Sequence, residues 1–111
     1  MPYRSKVKIH IDGQAKDRRR LVMVDALPAW LTERSFEALL KLAFAAKAGA
    51  MGWVAGVELG QFGDYYQTIR RLRTDLKSSK ANVRWLIENN RAKHFRLSVP
   101  PANITIDNGL R

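Results

Sequence analysis

The chain has 111 residues, a length that suits one domain, and 46% of them are hydrophobic, which excludes wholesale disorder. Cysteine is absent, so disulfides, thiolate zinc sites and cysteine catalysis are excluded. The net charge of +10 predicts a polyanionic partner.

Positive charge is concentrated in two parts of the chain. Residues 1–20 carry seven Lys and Arg against two acids, and residues 64–98 carry nine against three, whereas residues 21–63 carry three against four. Such grouping favours nucleic acid or an anionic membrane surface over a basic domain whose charge serves solubility. The most apolar run contains Lys41 and Lys47, and the N-terminus has no secretory signal, so we expect no membrane span and a cytoplasmic location.

The first 28 residues predict two strands. Val7–Asp12 alternates apolar and polar side chains, Asp12–Gly13 is a turn signal, and Leu21–Val24 follows as the second strand. The basic run Lys16–Arg20 between them could serve as a phosphate-binding arm or be a flexible loop with no role. Pro28 is expected to close this region.

A first helix is predicted to follow Thr32, which can act as its N-cap. Glu33 in the first turn and Lys47 in the last both suit the helix dipole, and Gly49 can end the helix. Its apolar stripe is Phe36, Leu39, Leu40, Ala43 and Phe44.

Five of the seven glycines lie between Gly49 and Gly63. We predict a short second helix at Val54–Leu59, with Trp53, Val57 and Leu59 facing inward, although Gly56 weakens it. The glycines at 52, 56 and 60 lack the Gly-Lys-Ser/Thr ending of a phosphate loop, so tight turns and close packing explain them better.

A third helix, about 64–78, has two contrasting faces and is expected to be capped by Asp64. Apolar residues recur at the i, i+4, i+7, i+11 spacing of a buried stripe: Tyr65, Ile69, Leu72 and Leu76. The opposite side carries long donors and hydroxyls: Gln67, Arg70, Arg71, Thr74, Lys77 and Ser78. A helix with one face in a core and the other offering guanidinium and amide groups has the chemistry to enter a DNA major groove.

The C-terminal third predicts a β-hairpin. Strand-like runs at Val83–Glu88 and His94–Val99 are separated by Asn89–Lys93, a turn with a basic tip. Residues 100–111 begin with two prolines and read as a tail, in which Ile104 and Ile106 could add one edge strand.

The order of these elements predicts an α+β fold, a winged helix-turn-helix with three helices. An N-terminal β-hairpin or small sheet would precede the helices, and a two-stranded wing, about 83–99, would follow them. Residues 1–111 would then form one domain, with a core at about 6–99.

Three segments resemble the OmpR/PhoB-type winged-helix DNA-binding domain of bacterial response regulators. Leu31–Leu40 is similar to the family's "LTxxEFxLL" first helix, Ile69–Leu76 to its "IRRLRxKL" recognition helix, and His94–Leu97 to its "GYRF" wing strand. The resemblance implies sequence-specific binding of double-stranded DNA in transcriptional regulation. The third helix would lie in the major groove, and the wing would touch the minor groove or the backbone.

In that family the arginines of the recognition helix contact bases and phosphates, which here implies Arg70, Arg71 and Arg73. The helical faces place Arg70 and Arg71 outward, whereas Arg73 lies at the edge of the buried stripe and would reach a phosphate or brace the core. Gln67 and Thr74 could contact base edges or be neutral fillers.

Three basic residues of the wing, Arg91, Lys93 and Arg96, are candidates for backbone or minor-groove contacts. The alternative is that they protect an edge strand from aggregation. The wing turn also lacks the family's glycine-rich sequence, which leaves the geometry of this contact open.

The chain contains none of the sequence motifs of an enzyme, so we predict a non-enzyme without cofactor, metal or small-molecule substrate. The predicted partner is double-stranded DNA, bound by single copies, a homodimer or copies in tandem, and not a membrane. Two alternatives remain open: a winged helix that binds DNA or RNA without sequence preference, and a protein-interaction module on the same scaffold.

Overall fold

The computed structural model describes residues 3, 5–60, 64–77, 86–90 and 92–110. These residues form seven strands and two α-helices, which confirms the α+β class. The strands are β1 (Ile9–Lys16), β2 (Arg19–Val24), β3 (Leu27–Thr32), β4 (Val54–Ala55), β5 (Ile87–Asn89), β6 (His94–Leu97) and β7 (Ile104–Ile106). The helices are α1 (Glu33–Ala48) and α2 (Tyr65–Lys77). Within the described ranges, neither helix is long and apolar enough to cross a membrane.

The N-terminal sheet has four strands in the order β3-β2-β1-β7. β1, β2 and β3 are antiparallel neighbours, and β7 pairs in parallel with β1 at the edge. The predicted edge strand at Ile104 and Ile106 is therefore confirmed, and both side chains are buried in the common core. The last residues thus contribute to the core rather than only trailing from it.

Two local predictions in this sheet were wrong. Asp12–Gly13 does not end β1 but lies in an irregularity between Ile11 and Ala15, where the pairing register shifts. The turn comes later, at Asp17 and Arg18, which both have positive φ, as a two-residue hairpin connection requires. Pro28 does not close the region either, because it lies within β3, an edge strand in which the missing N–H costs no ladder bond.

Helix α1 begins and ends where predicted. The Thr32 hydroxyl accepts a hydrogen bond from the Ser35 amide, and Gly49 follows the last turn with φ 105°. Lys47 in the last turn donates to the carbonyl of Ile104 at 2.7 Å, which ties α1 to β7. The predicted stripe is right for Phe36, Leu39 and Ala43, which are buried, but Phe44 is 39% exposed.

The predicted second helix is absent from the described residues. Val54 and Ala55 instead pair with β6, and residues 56–58 form one turn of 3-10 helix. The backbone of Gly56 lies against the Tyr65 ring, where a Cβ atom would be 2.7 Å from ring carbons, so this glycine serves close packing as the sequence predicted. Val57, expected to face inward, is 71% exposed, whereas Leu59 is buried as predicted.

Helix α2 has the predicted bounds to within a residue, and its four stripe residues are all buried. Asp64 contributes to its start through the backbone carbonyl, which accepts from the amides of Gln67 and Thr68. The expected side-chain cap is not formed by the described residues: one carboxylate oxygen pairs with Arg34 at 3.2 Å and the other has no hydrogen-bond partner among them.

The hairpin forms from β5 and β6, and β4 adds a third strand in the order β4-β6-β5. Its turn is ordered by the Asn90 side chain, whose amide oxygen accepts from the amides of Ala92 and His94 at 2.9 and 3.0 Å. The first part of the predicted strand Val83–Glu88, residues 83–85, lies outside the described residues. One hydrophobic cluster joins both sheets and both helices.

Candidate nucleic-acid interface

The outward face of α2 gathers most of the residues that the sequence singled out. Gln67, Arg70, Arg71, Thr74 and Lys77 are all exposed, opposite the stripe that the core buries. At about 100° per residue these five positions fall within roughly a third of the helix circumference. Ser78, the sixth predicted member of this face, lies outside the described residues.

Arg71 is held in place by a carboxylate on its own helix. Its Nε atom lies 3.3 Å from Oδ1 of Asp75, one turn further along, and the Arg71 side chain is 54% exposed. An arginine fixed by a second group presents its remaining N–H donors in a defined direction, which suits contact with a guanine edge or a phosphate.

Asp75 is a residue of the candidate site that the sequence interpretation did not single out. Its side chain is only 5% exposed, and the Thr32 amide donates to its Oδ2 atom at 3.3 Å. Nη1 of Arg19, on β2, lies 3.7 Å from its Oδ1 atom. The i, i+4 spacing from Arg71 was a signal for the first ion pair, but nothing local indicated the contacts with residues 43 and 56 positions away.

Arg73 braces the hairpin, which is one of its two predicted roles. Its Nη2 atom donates to the Ile87 carbonyl on β5 at 2.9 Å. Burial lowers the pKa of the Arg73 guanidinium, although an arginine stays charged at neutral pH. The bond fixes the hairpin relative to α2.

The Thr74 hydroxyl already donates a hydrogen bond within the helix. The acceptor is the Arg70 carbonyl one turn earlier, at 3.0 Å. The Thr74 oxygen can therefore still accept a hydrogen bond. A donor on a base, such as the amino group of adenine or cytosine, would suit it.

The hairpin contributes less to the surface than predicted. Lys93 is exposed in the turn, with φ 61°, and Arg91 lies outside the described residues. The prediction that Arg96 contacts DNA from the wing was wrong, because only 5% of this residue is exposed.

Arg96 is buried because β6 is the central strand of its sheet and is covered on both faces. Its guanidinium pairs with Glu88 on β5 and lies 4.8 Å from the ring centroid of Trp53 and 5.1 Å from that of Tyr3. Strand alternation correctly placed Phe95 and Leu97 inside but could not show that the opposite face was also covered.

The basic run of residues 16–20 is an ordered hairpin turn rather than a flexible loop. Lys16 lies over the Trp30 ring, and Arg20 pairs with Glu33 at 2.9 Å. Arg18 is exposed at the turn, and Arg19 pairs with Asp75 in the last turn of α2. The run therefore lies beside the C-terminal half of α2, although 56 positions separate Arg19 from Asp75 in the sequence.

A cleft of about 1020 Å³ lies between α1 and residues 53–60. Its lining mixes acids, bases and apolar groups, among them Glu37, Glu58, Arg34, Lys41 and Phe44. Such a lining lacks the uniform positive charge of the α2 face, and a nucleic-acid backbone would be less well accommodated there.

Comparisons with protein-family models, with curated proteins and with solved structures gave no match.

Proposed function

We propose that this protein is a winged-helix protein that binds double-stranded DNA in a sequence-specific manner and acts in transcriptional regulation in the cytoplasm. Helix α2 would lie in the major groove, and the β5–β6 hairpin would serve as the wing. The resemblance to the OmpR/PhoB-type domain supports the same proposal.

The observation that carries the proposal is the exposed face of α2. Five polar or basic side chains share it, while the stripe on the opposite side of the helix is buried in the core. An α-helix fits the major groove, where amide, hydroxyl and guanidinium groups can distinguish the four base pairs. Phosphate contacts from the flanking lysines and arginines would set the register of the helix on the duplex.

The arrangement around α2 supports the winged-helix assignment. α1 packs against α2, the hairpin is fixed to α2 by Arg73, and β4 joins the hairpin as a third strand. In this assignment the turn of 3-10 helix at residues 56–58 would stand in place of the middle helix. In this assignment Arg70 and Arg71 are the base contacts, and Gln67, Thr74 and Lys77 assist them.

The wing would make contacts that do not depend on base sequence. Lys93 is exposed at its turn, two residues after Arg91 in the sequence. Both would neutralise phosphates on the strand beside the groove that α2 occupies.

Selection of bound duplexes from a random pool tests the proposal most directly. We expect an enriched motif, and a repeated half-site would indicate a dimer or tandem copies. Equal affinity for random duplex, single-stranded DNA and RNA would contradict sequence specificity and favour a non-specific binder. No binding at ~50 mM salt, where phosphate attraction is strong, would contradict nucleic-acid binding and favour a protein-interaction module.

A further inference from the structure

Two arginines from distant parts of the chain share one buried carboxylate. Oδ1 of Asp75 lies 3.3 Å from Nε of Arg71 and 3.7 Å from Nη1 of Arg19. The Asp75 side chain is 5% exposed, whereas the Arg19 and Arg71 side chains are 40% and 54% exposed. The Asp75 carboxylate is therefore buried, and the two guanidinium groups that pair with it lie at the protein surface.

Arg19 is fixed by a second contact. Its Nη1 atom donates to the Trp30 carbonyl on β3 at 3.0 Å. A guanidinium has five N–H donors, and these contacts engage the Nη1 group, so other donors of Arg19 remain for a ligand. Arginine held in this way loses less side-chain entropy when it binds an anion.

The charges favour an anion at this point. The two arginines and Asp75 sum to +1, and the β1–β2 turn, in which Asp17 and Arg18 are both exposed, leaves this sum unchanged. Asp75 offsets the repulsion between the two guanidinium groups, which allows them to stand close together. A phosphodiester group, whose single negative charge is shared by two oxygens, suits the remaining N–H donors of an oriented guanidinium such as that of Arg19.

We propose that the β1–β2 hairpin is part of the interface, with Arg19 as a contact to a backbone phosphate of the duplex. The phosphate would flank the base pairs that α2 contacts, and Arg71 would remain the base contact. Asp75 is a positioning residue, since it orients both arginines without touching DNA. This inference rests on the proposed function and adds a second structural element to it.

Arg19→Ala tests the phosphate contact, with Lys8→Ala as the matched control. Lys8 is also exposed and basic, but it pairs with Asp25 through its backbone, about 20 Å along β2 from Arg19. We expect Arg19→Ala to weaken binding to selected and random duplexes alike by about tenfold, the effect of a lost charge-assisted hydrogen bond. The slope of log K against log salt should also fall by about 0.9.

Arg19→Lys separates charge from geometry. The lysine retains the positive charge, so the salt slope should recover to near the wild-type value, while affinity recovers only in part because the guanidinium fork is lost. Complete recovery of both would show that charge alone is involved and would overturn the oriented contact.

Asp75→Asn tests the positioning role with a readout that loss of stability would not produce. The variant gains one unit of positive charge, so binding to random duplex should be unchanged or stronger, while preference for the selected duplex falls. Urea unfolding checks that the variant folds. If it does not fold, the comparison of Arg19→Ala with Arg19→Lys still tests whether the arginine at position 19 makes an oriented contact. Unchanged preference in folded Asp75→Asn would overturn the role of Asp75.

The two proposals fail in different ways. If the wild-type protein binds no duplex, both are wrong. If it selects duplexes but Arg19→Ala behaves as Lys8→Ala does, the proposed function stands and the phosphate contact at the β1–β2 hairpin is overturned.

Discussion

At the residue scale, burial distinguishes arginines that hold the fold from arginines that face solvent. Arg96 pairs with Glu88, and their side chains are 6% and 15% exposed, so neither charge has much access to water. Arg34 pairs with Asp64 at 3.2 Å but is 58% exposed. The two pairs have similar chemistry and different surroundings, which makes them a matched comparison.

We expect Arg96→Ala to lower the free energy of unfolding by about 3–5 kcal/mol, because it removes one partner of an ion pair that has little access to water. Arg34→Ala should cost at most about 1 kcal/mol, since the Arg34 side chain is 58% exposed and water can replace its contact with Asp64. Urea unfolding of both variants measures the difference. An Arg96→Ala variant that is as stable as wild type yet has lost duplex binding would restore Arg96 to the interface.

Arg71 and Lys93 should differ in how their loss affects DNA binding. Arg71→Ala is expected to reduce discrimination between the selected and a random duplex by about 1–3 kcal/mol, because a base contact is lost. Lys93→Ala should weaken both duplexes equally, as removal of a phosphate contact does. Titration of each variant with both duplexes measures these effects, and equal losses for Arg71→Ala would exclude its role as a base contact.

At the element scale, α1 and α2 were predictable from the sequence, but β3 and β4 were not, and a helix was predicted in place of β4. The bounds of α1 depend on Thr32 and Gly49, and those of α2 on a periodic stripe, all of which are local signals. β4 could not be found this way, because Val54 and Ala55 become a strand only by pairing with β6, about 40 residues later. The same holds for the site: the exposed face of α2 follows from periodicity, but the contact of Asp75 with Arg19 depends on tertiary packing.

Gly56 is the position at which β4, the 3-10 turn and α2 meet. A Cβ atom there would lie 2.7 Å from the Tyr65 ring. We expect Gly56→Ala to destabilise the protein by about 1–3 kcal/mol, since overpacking outweighs the gain of about 0.4–1 kcal/mol from a less flexible unfolded chain.

Gly109→Ala is the control for this prediction. Its nearest neighbour would be a carboxylate oxygen of Asp107, at 3.1 Å, on an exposed side chain that can move. The free energy of unfolding should therefore change by no more than about 0.5 kcal/mol. Equal effects of the two substitutions in urea unfolding would mean that the contact between Gly56 and Tyr65 is not tight.

At the scale of the whole molecule, folding brings together the two basic parts of the sequence. Arg19 belongs to the first part and Arg71 to the second, and both lie beside Asp75. The weakly acidic segment 21–63 supplies α1 and the mixed lining of the cleft instead. The charge asymmetry of the sequence thus becomes, around the C-terminal half of α2, a basic surface built from two elements.

This surface predicts a steep dependence of DNA affinity on salt. Each neutralised phosphate should contribute about 0.9 to the slope of log K against log salt, because bound counterions are released. Lys77→Ala, on the exposed face of α2, should lower the slope by about one unit, whereas Lys8→Ala, at the far end of the N-terminal sheet, should leave it unchanged. Anisotropy titrations of a labelled duplex between ~50 and ~200 mM salt provide the measurement. Equal decreases of the slope for the two variants would mean that net charge, and not its placement beside α2, attracts the duplex.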